Sequence, residues 1–175
     1  MNQNSSLSAY EVINDYDEAA LSKMFFSYGE LNNARGLATA IITARKEEPI
    51  KNSEQLKKIF SRFLPAHKSN KILAQIYQAI RIEVNQEMDA LREFLEQSLE
   101  ILKPGGRLSV ISYHSLEDRL VKRFIKNGMF EGEPERDFFG RFEVPFQTIG
   151  KLIIPSEEEI KLNNRARSAK LRIAE

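Results

Sequence analysis

Apolar residues recur at helical spacing through the first half of the chain, and each periodic segment begins at a capping residue or ends at a breaker. Ser8 and Glu11 have the spacing of a capping box, and Asp17 precedes a second apolar-periodic segment. A third apolar face follows, and Ser53 is expected to cap a fourth helix. The pattern therefore predicts four short helices within residues 1–69, which should pack together because each alone buries little apolar surface.

A linker is expected at residues 65–69, where Pro, Ala, His, Lys and Ser interrupt the apolar pattern. Helical periodicity returns in residues 70–102, and a break near residues 84–85 predicts two successive helices there. We therefore expect a helical domain at residues 1–69 and a second domain at residues 70–175.

After these two helices, the second domain continues with a turn, a strand and a helix in succession. Residues 104–106 read Pro-Gly-Gly, and residues 107–113 form a short apolar run rich in β-branched side chains. The spacing from Ser115 to Asp118 then predicts a helix start. This order of elements predicts an α/β fold, in which ligands bind beyond the carboxyl ends of the strands.

Beyond Gly128 the sequence loses its clear periodicity. Residues 129–150 are expected to form an ordered but irregular loop. Two further strands are predicted at residues 151–154 and 169–174, with a helical turn between them that Ser156 caps.

The composition is that of an ordinary soluble globular protein of 175 residues, with 42% hydrophobic residues, 29% charged residues and a net charge of +1. The chain has no cysteine and two histidines, so no disulfide and no metal site is expected. No apolar run approaches a membrane span, and the polar opening lacks the basic start and apolar centre of a signal peptide. These features predict a cytoplasmic protein without a membrane segment.

Polar side chains cluster where the predicted strand at residues 107–113 ends. His114 lies near Ser112, Glu117 and Asp118, so its role could be nucleophilic catalysis, pocket lining or structural support through the backbone. Nucleophilic triads draw their residues from distant positions and place the serine on a sharp turn such as G-x-S-x-G, a motif that this sequence lacks. The pattern therefore disfavours covalent catalysis and leaves the other two roles open.

Two basic runs are candidates for contact with phosphate. The first lies within one predicted helix and contains Arg119, Lys122, Arg123 and Lys126. The second crowds the carboxyl-terminal region and contains Lys161, Arg165, Arg167, Lys170 and Arg172. Each run alone is typical of a solvated face, whereas both runs beside one pocket favour contact with a nucleic-acid backbone. The acidic loop at residues 131–137 would repel such a backbone and is expected to point elsewhere.

Three segments carry a resemblance to a known family. They are residues 78–91 (QAIRIEVNQEMDAL), residues 102–124 (LKPGGRLSVISYHSLEDRLVKRF) and residues 163–175 (NNRARSAKLRIAE). Together they resemble the small-subunit (16S) ribosomal RNA cytosine-N(4) methyltransferases, which use S-adenosylmethionine. The segments AYEVINDY and ELNNARGLATAIITARKEEPI resemble the all-helical domain that this family inserts into its class I, Rossmann-like methyltransferase sheet.

The resemblance implies a reaction and a set of residue roles. The implied reaction methylates the exocyclic amine of a cytidine in 16S ribosomal RNA, for which catalysis is mainly positioning and removal of a proton. Ser112 and His114 are then candidates for lining the cytosine pocket, and Glu117 or Asp118 for orienting their neighbours. The implied RNA-binding residues are Arg119, Lys122, Arg123, Lys126, Arg165, Arg167 and Lys170.

The resemblance covers only the back half of the family's pattern. In that family the glycine-rich cofactor loop and the acid that holds the ribose precede the helical insertion, and no segment here corresponds to them. We therefore expect a C-terminal fragment with no cofactor-binding residues of its own, inactive alone, in which Met1 resembles an internal methionine of the family. The alternative is a non-catalytic RNA-binding module. A missing neighbour strand also predicts an exposed sheet edge at residues 107–113, and self-association through it.

Overall fold

The computed structural model describes residues 7–65 and 67–175, which divide into two compact units, Met1–Glu87 and Met88–Glu175. The expectation about Met1 falls outside the described residues, as does Ala66 of the expected linker. None of the helices in the described ranges is long and apolar enough to cross a membrane.

All regular secondary structure in the described residues of the first unit is helical. Its helices are α1 (Ala9–Asp15), α2 (Glu18–Ser27), α3 (Ala34–Arg45), α4 (Ser53–Phe60) and α5 (Ser69–Asn85), with a short 3-10 helix at Ser61–Phe63. Their apolar faces meet in one core, where Val12, Leu21, Phe25, Leu37, Phe60 and Ile76 are fully buried. Helix α5 packs on α1 and α2, so the first unit extends to Glu87 rather than ending at residue 69 as expected.

Capping side chains mark the start of three of the first four helices, α1, α2 and α4, whereas α3 has no side-chain cap. The capping box between Ser8 and Glu11 and the cap at Asp17 are confirmed. Helix α4 is capped by Asn52 rather than by Ser53, because the Asn52 side chain accepts a hydrogen bond at 3.0 Å from the backbone N–H three residues later. The shift of one residue agrees with the strong preference of asparagine for the N-cap position.

The second unit combines helices with a small sheet. Its elements are α6 (Glu87–Ile101), β1 (Leu108–Ser112), α7 (Ser115–Asn127), α8 (Glu157–Leu162), a 3-10 helix at Asn164–Ser168, and β2 (Lys170–Ala174). Gln86 separates α5 from α6 with a left-handed φ of 50°, which confirms the predicted break near residues 84–85. Ser156 caps α8 as predicted.

The two strands pair antiparallel, with Leu108 opposite Ala174. Residues 147–153 run along the other side of β2 and form isolated bridges with it at Thr148 and Ile153. The predicted strand at residues 151–154 is therefore reduced to a single bridge. Because the sheet order is β1-β2, β1 has one edge that no strand covers in the described part of the chain.

The core of the second unit lies between the sheet and its helices. The buried side chains are Leu95, Leu108, Val121, Phe124, Ile125, Phe146 and Ala174. Phe130 of the irregular loop stacks on Phe124 with ring centroids 4.8 Å apart, so this loop is anchored to the core. The opposite face of β1 is open, and Ile111 and the neighbouring Tyr113 are 56% and 59% exposed.

Candidate nucleic-acid interface

A pocket of about 210 Å³ in the second unit is lined by α7, β2 and the segment that bridges to β2. Its charged wall consists of Lys122, Lys126, Lys151 and Arg172. Apolar side chains, including Ile125 and Ile149, complete the lining. We call this the basic pocket; it combines cations with an apolar surface, as sites for nucleotides do.

Helix α7 places two of these cations side by side. Lys122 and Lys126 are four residues apart and therefore lie on one helical face, while Val121 and Phe124 on the other face are buried in the core. The helix ends at Gly128, which adopts a left-handed φ of 70°. The core contacts of α7 thus determine which of its cations reach the basic pocket.

The basic pocket carries uncompensated positive charge. Lys122, Lys126 and Lys151 make no ion pair within the part of the chain that the structure describes. Arg172 is held by Asp118: its Nε donates to Oδ1 at 2.7 Å and its Nη2 donates to Oδ2 at 3.2 Å. Three free ammonium groups around one pocket attract phosphate.

Asp118 is buried at the base of this arrangement and also accepts a hydrogen bond from Lys170 Nζ at 3.1 Å. Burial would raise the pKa of Asp118, but the hydrogen bonds from Arg172 and Lys170 outweigh it and hold the pKa below its ordinary value. The carboxylate is therefore ionised at neutral pH. Asp118 fixes the guanidinium of Arg172 at the wall of the basic pocket.

The turn between β1 and α7 holds the remaining predicted pocket residues. Ser112 is buried at the end of β1. His114, rather than Ser115, is the N-cap of α7, because its Nδ1 accepts a hydrogen bond from the Leu116 N–H at 3.3 Å. The carboxylate of Glu117 accepts from the N–H of His114 at 3.2 Å, which completes a capping box. In this structure His114 and Glu117 support the start of the helix, and neither lines the basic pocket.

The other cations of the predicted α7 run take different directions. The Nη2 of Arg123 donates to the carbonyl of Gly132, and its Nε is enclosed without a partner among the described residues. Arg119 is exposed on α7 and does not line the basic pocket. Of the four predicted RNA-binding residues in this run, Lys122 and Lys126 therefore lie together at the basic pocket.

In the carboxyl-terminal basic run, too, only some of the residues line the basic pocket. Arg165 and Arg167 are exposed on the 3-10 helix and do not line the basic pocket. Lys170 is engaged with Asp118. Lys151 and Arg172 line the pocket but were not among the predicted RNA-binding residues. Arg172 belongs to the basic run seen in the sequence, whereas the position of Lys151 follows from the bridges between residues 147–153 and β2.

Comparison with known proteins places the chain in a family of methylases. The match to the MraW methylase family extends over residues 1–175, so the chain belongs to this family.

Three curated relatives share one name, ribosomal RNA small subunit methyltransferase H. The relative from Flavobacterium johnsoniae is 71% identical over the whole of this chain, which covers 58% of that protein. The relative from Flavobacterium psychrophilum is 70% identical, with 60% of its length covered, and that from Bacteroides thetaiotaomicron is 49% identical, with 58% covered. The chain thus spans less than two thirds of the length of these relatives.

The described residues do not fit S-adenosylmethionine, the cofactor that the family resemblance implies. The glycine turn at residues 104–106 leads into a strand, whereas a cofactor turn joins a strand to a helix. The strand-to-helix turn after β1, residues 113–114, contains no glycine, whereas a cofactor turn is rich in glycine. The basic pocket would repel a sulfonium, since its charged lining residues are cations.

No group of three or more metal-ligating side chains occurs among the described residues.

Proposed function

We propose that this chain is the RNA-holding part of an S-adenosylmethionine-dependent methyltransferase that modifies the N(4) amine of a cytidine in 16S ribosomal RNA. Membership of the MraW methylase family and the shared name of the relatives support the reaction class and the substrate. In this proposal the first unit is the inserted helical domain, and the second unit is part of a class I methyltransferase domain.

The basic pocket is the observation that carries the RNA-binding half of this proposal. Phosphate oxygens are the most frequent protein contacts of nucleic acids, and lysine ammonium groups meet them as point charges. Lys122, Lys126 and Lys151 lie around one pocket without ion pairs in the described chain, and Arg172 is oriented beside them. The arrangement suits a bend of RNA backbone, whose ribose and base would lie on the apolar lining.

The same proposal places the target cytosine beyond the carboxyl end of β1, beside Ser112 and His114. The support for this placement is the position of the two residues, since Ser112 is the last residue of the strand and His114 follows two residues later. A base inside folded RNA must be splayed out before its amine can react. The basic pocket, in the same unit, would hold the backbone while the base is displaced.

The RNA-binding claim is tested with a triple variant, Lys122→Gln, Lys126→Gln and Lys151→Gln. Binding of a fluorescein-labelled fragment of 16S ribosomal RNA is followed by anisotropy at several salt concentrations. Each lost phosphate contact should reduce the slope of log K against log salt by about 0.7 to 0.9. We therefore expect weaker binding and a slope lower by about 2 to 3.

The matched control removes three exposed lysines of the first unit that lie outside the basic pocket, Lys57, Lys58 and Lys71, each changed to Gln. Both variants lose the same net charge, so a general electrostatic effect would weaken binding equally. Equal affinities and slopes for the two variants would remove the basic pocket from the proposed RNA contact.

A second candidate function is that of a non-catalytic RNA-binding module, which the misfit between the described residues and S-adenosylmethionine favours. Calorimetric titration of the chain with the cofactor addresses this candidate. We expect no saturable heat at micromolar concentrations of cofactor for the 175-residue chain. Saturable binding would show that these residues hold a cofactor site, and the module without catalysis would be excluded.

A further inference from the structure

A second cationic surface lies on the helical unit, along the outer face of α2. It is an open groove of about 560 Å³ lined by Glu18, Ala19, Ser22, Lys23, Phe26 and Arg35. The α2 positions share one helical face, because they are spaced by three or four residues along it. The opposite face of α2, with Leu21, Met24 and Phe25, is buried in the core. The groove is therefore on the solvent side of the helical unit.

Phe26 is unusual within this helix. Its side chain is 64% exposed, although the adjacent Phe25 is fully buried. A flat aromatic ring in water offers a surface on which another ring can stack. In this groove the ring is accompanied by two cations, Lys23 one turn away on α2 and Arg35 in the first turn of α3.

The charges of the groove favour a polyanion. Neither Lys23 nor Arg35 forms an ion pair or a side-chain hydrogen bond among the residues that the structure describes. Glu18, the carboxylate of the groove, accepts a hydrogen bond from the hydroxyl of Thr39 at 2.8 Å. It lies eight residues from Phe26, about 12 Å along the helix, whereas Lys23 lies only three residues from Phe26, so along α2 the aromatic ring is nearer to the cation than to the carboxylate.

We propose that this groove, the α2 groove, binds single-stranded RNA, with an unpaired base stacked on Phe26 and the flanking phosphates held by Lys23 and Arg35. The inference rests on the proposed function and names a second RNA contact for it, on the other unit. Stacking requires an exposed base face, so the preferred ligand is unpaired RNA and not a duplex. An aromatic ring accepts any base, so little sequence preference is expected.

The test uses the 175-residue chain and a labelled RNA oligonucleotide without secondary structure. Phe26→Ala should weaken binding about tenfold, because it removes one base-stacking platform. Phe26→Trp should retain affinity, since the indole also stacks. A matched control is Phe138→Ala, which removes a phenylalanine that is 99% exposed in the irregular loop at residues 129–150 and should leave binding unchanged. Circular dichroism checks that each variant keeps its helices.

The salt dependence provides an independent readout of the cations. Lys23→Gln combined with Arg35→Gln should lower the salt slope by about 1.4, the value for two contacts with a single strand. For duplex RNA of the same length, Phe26→Ala should have no effect. Unchanged affinity of Phe26→Ala for the single strand would overturn the proposal. It would instead favour a protein as the ligand of the exposed ring.

Failure of the α2 groove can be distinguished from failure of the proposed function. If the triple lysine variant of the basic pocket weakens binding while Phe26→Ala does not, RNA binding stands and the α2 groove is excluded. If the unmodified chain binds no RNA, both proposals are wrong.

Discussion

Replacing Asp118 by Asn should destabilise the second unit, because Asp118 accepts hydrogen bonds from two cations contributed by β2. Its side chain is 11% exposed, and the side chains of Arg172 and Lys170 are 16% and 38% exposed. Removing one partner of a fully buried ion pair costs about 3 to 5 kcal/mol. Solvent screens Lys170, and the amide can still accept one hydrogen bond, so we expect a loss of about 2 kcal/mol.

The loss of stability caused by Asp118→Asn should become smaller as the pH falls into the acid range. Hydrogen bonds from Arg172 and Lys170 lower the pKa of Asp118 from its ordinary value of 3.8, despite the opposing effect of burial. The contribution of Asp118 to stability is therefore fully present above pH 3.8 and is lost as the pH falls through the lower, folded-state pKa. The destabilisation caused by Asp118→Asn should be constant near neutral pH and shrink in acid.

Hydrogen exchange of the β1 and β2 amides in increasing urea measures the free energy of opening of this unit. Asp89→Asn is the matched control, since Asp89 forms an ion pair with Arg92 at 2.9 Å but is 58% exposed. The control should lose less than about 1 kcal/mol. Equal losses for the two variants, or a loss for Asp118→Asn that does not change with pH, would refute the structural role of this carboxylate.

Three further predictions concern the turn, the carboxyl-terminal cations and the open strand. His114→Ala should destabilise α7 by about 1 kcal/mol while His114→Asn does not, because asparagine can cap the helix; equal thermal melting of the two variants would contradict this. Arg165→Gln with Arg167→Gln should weaken RNA binding in anisotropy without lowering stability, whereas Lys170→Gln should lower urea resistance; the reverse pattern would contradict the placement of these cations. Ile111→Lys should reduce self-association in sedimentation velocity, because it places a charge on the open face of β1, and an unchanged mass distribution would exclude that face.

Local signals in the sequence predicted most of the secondary structure. The break at Gln86 and the caps at Ser8, Asp17 and Ser156 follow from short-range chemistry, which the sequence shows directly. The misplaced caps at Ser53 and Ser115 differ from the observed caps by one residue. At α7 the spacing from His114 to Glu117 also satisfies a capping box, and residue type alone favoured serine over histidine.

The candidate site could be predicted only in part, because its geometry depends on contacts between distant segments. Asp118 and Arg172 are 54 residues apart in the chain, and no local periodicity indicates that they meet. The α7 run was recognisable as basic, but the packing of the core decides that Lys122 faces the basic pocket and Arg123 faces the irregular loop. Lys151 reaches the pocket because residues 147–153 bridge to β2.

Ultraviolet cross-linking of the chain to 16S ribosomal RNA, with the cross-linked peptides identified by mass spectrometry, tests the RNA-binding claim most directly. The basic pocket predicts cross-links in the peptides that contain Lys122, Lys126 and Lys151. It also predicts that the triple glutamine variant loses these cross-links. Cross-links confined to the acidic loop at residues 131–137, or unchanged by the variant, would contradict the claim that the basic pocket holds RNA.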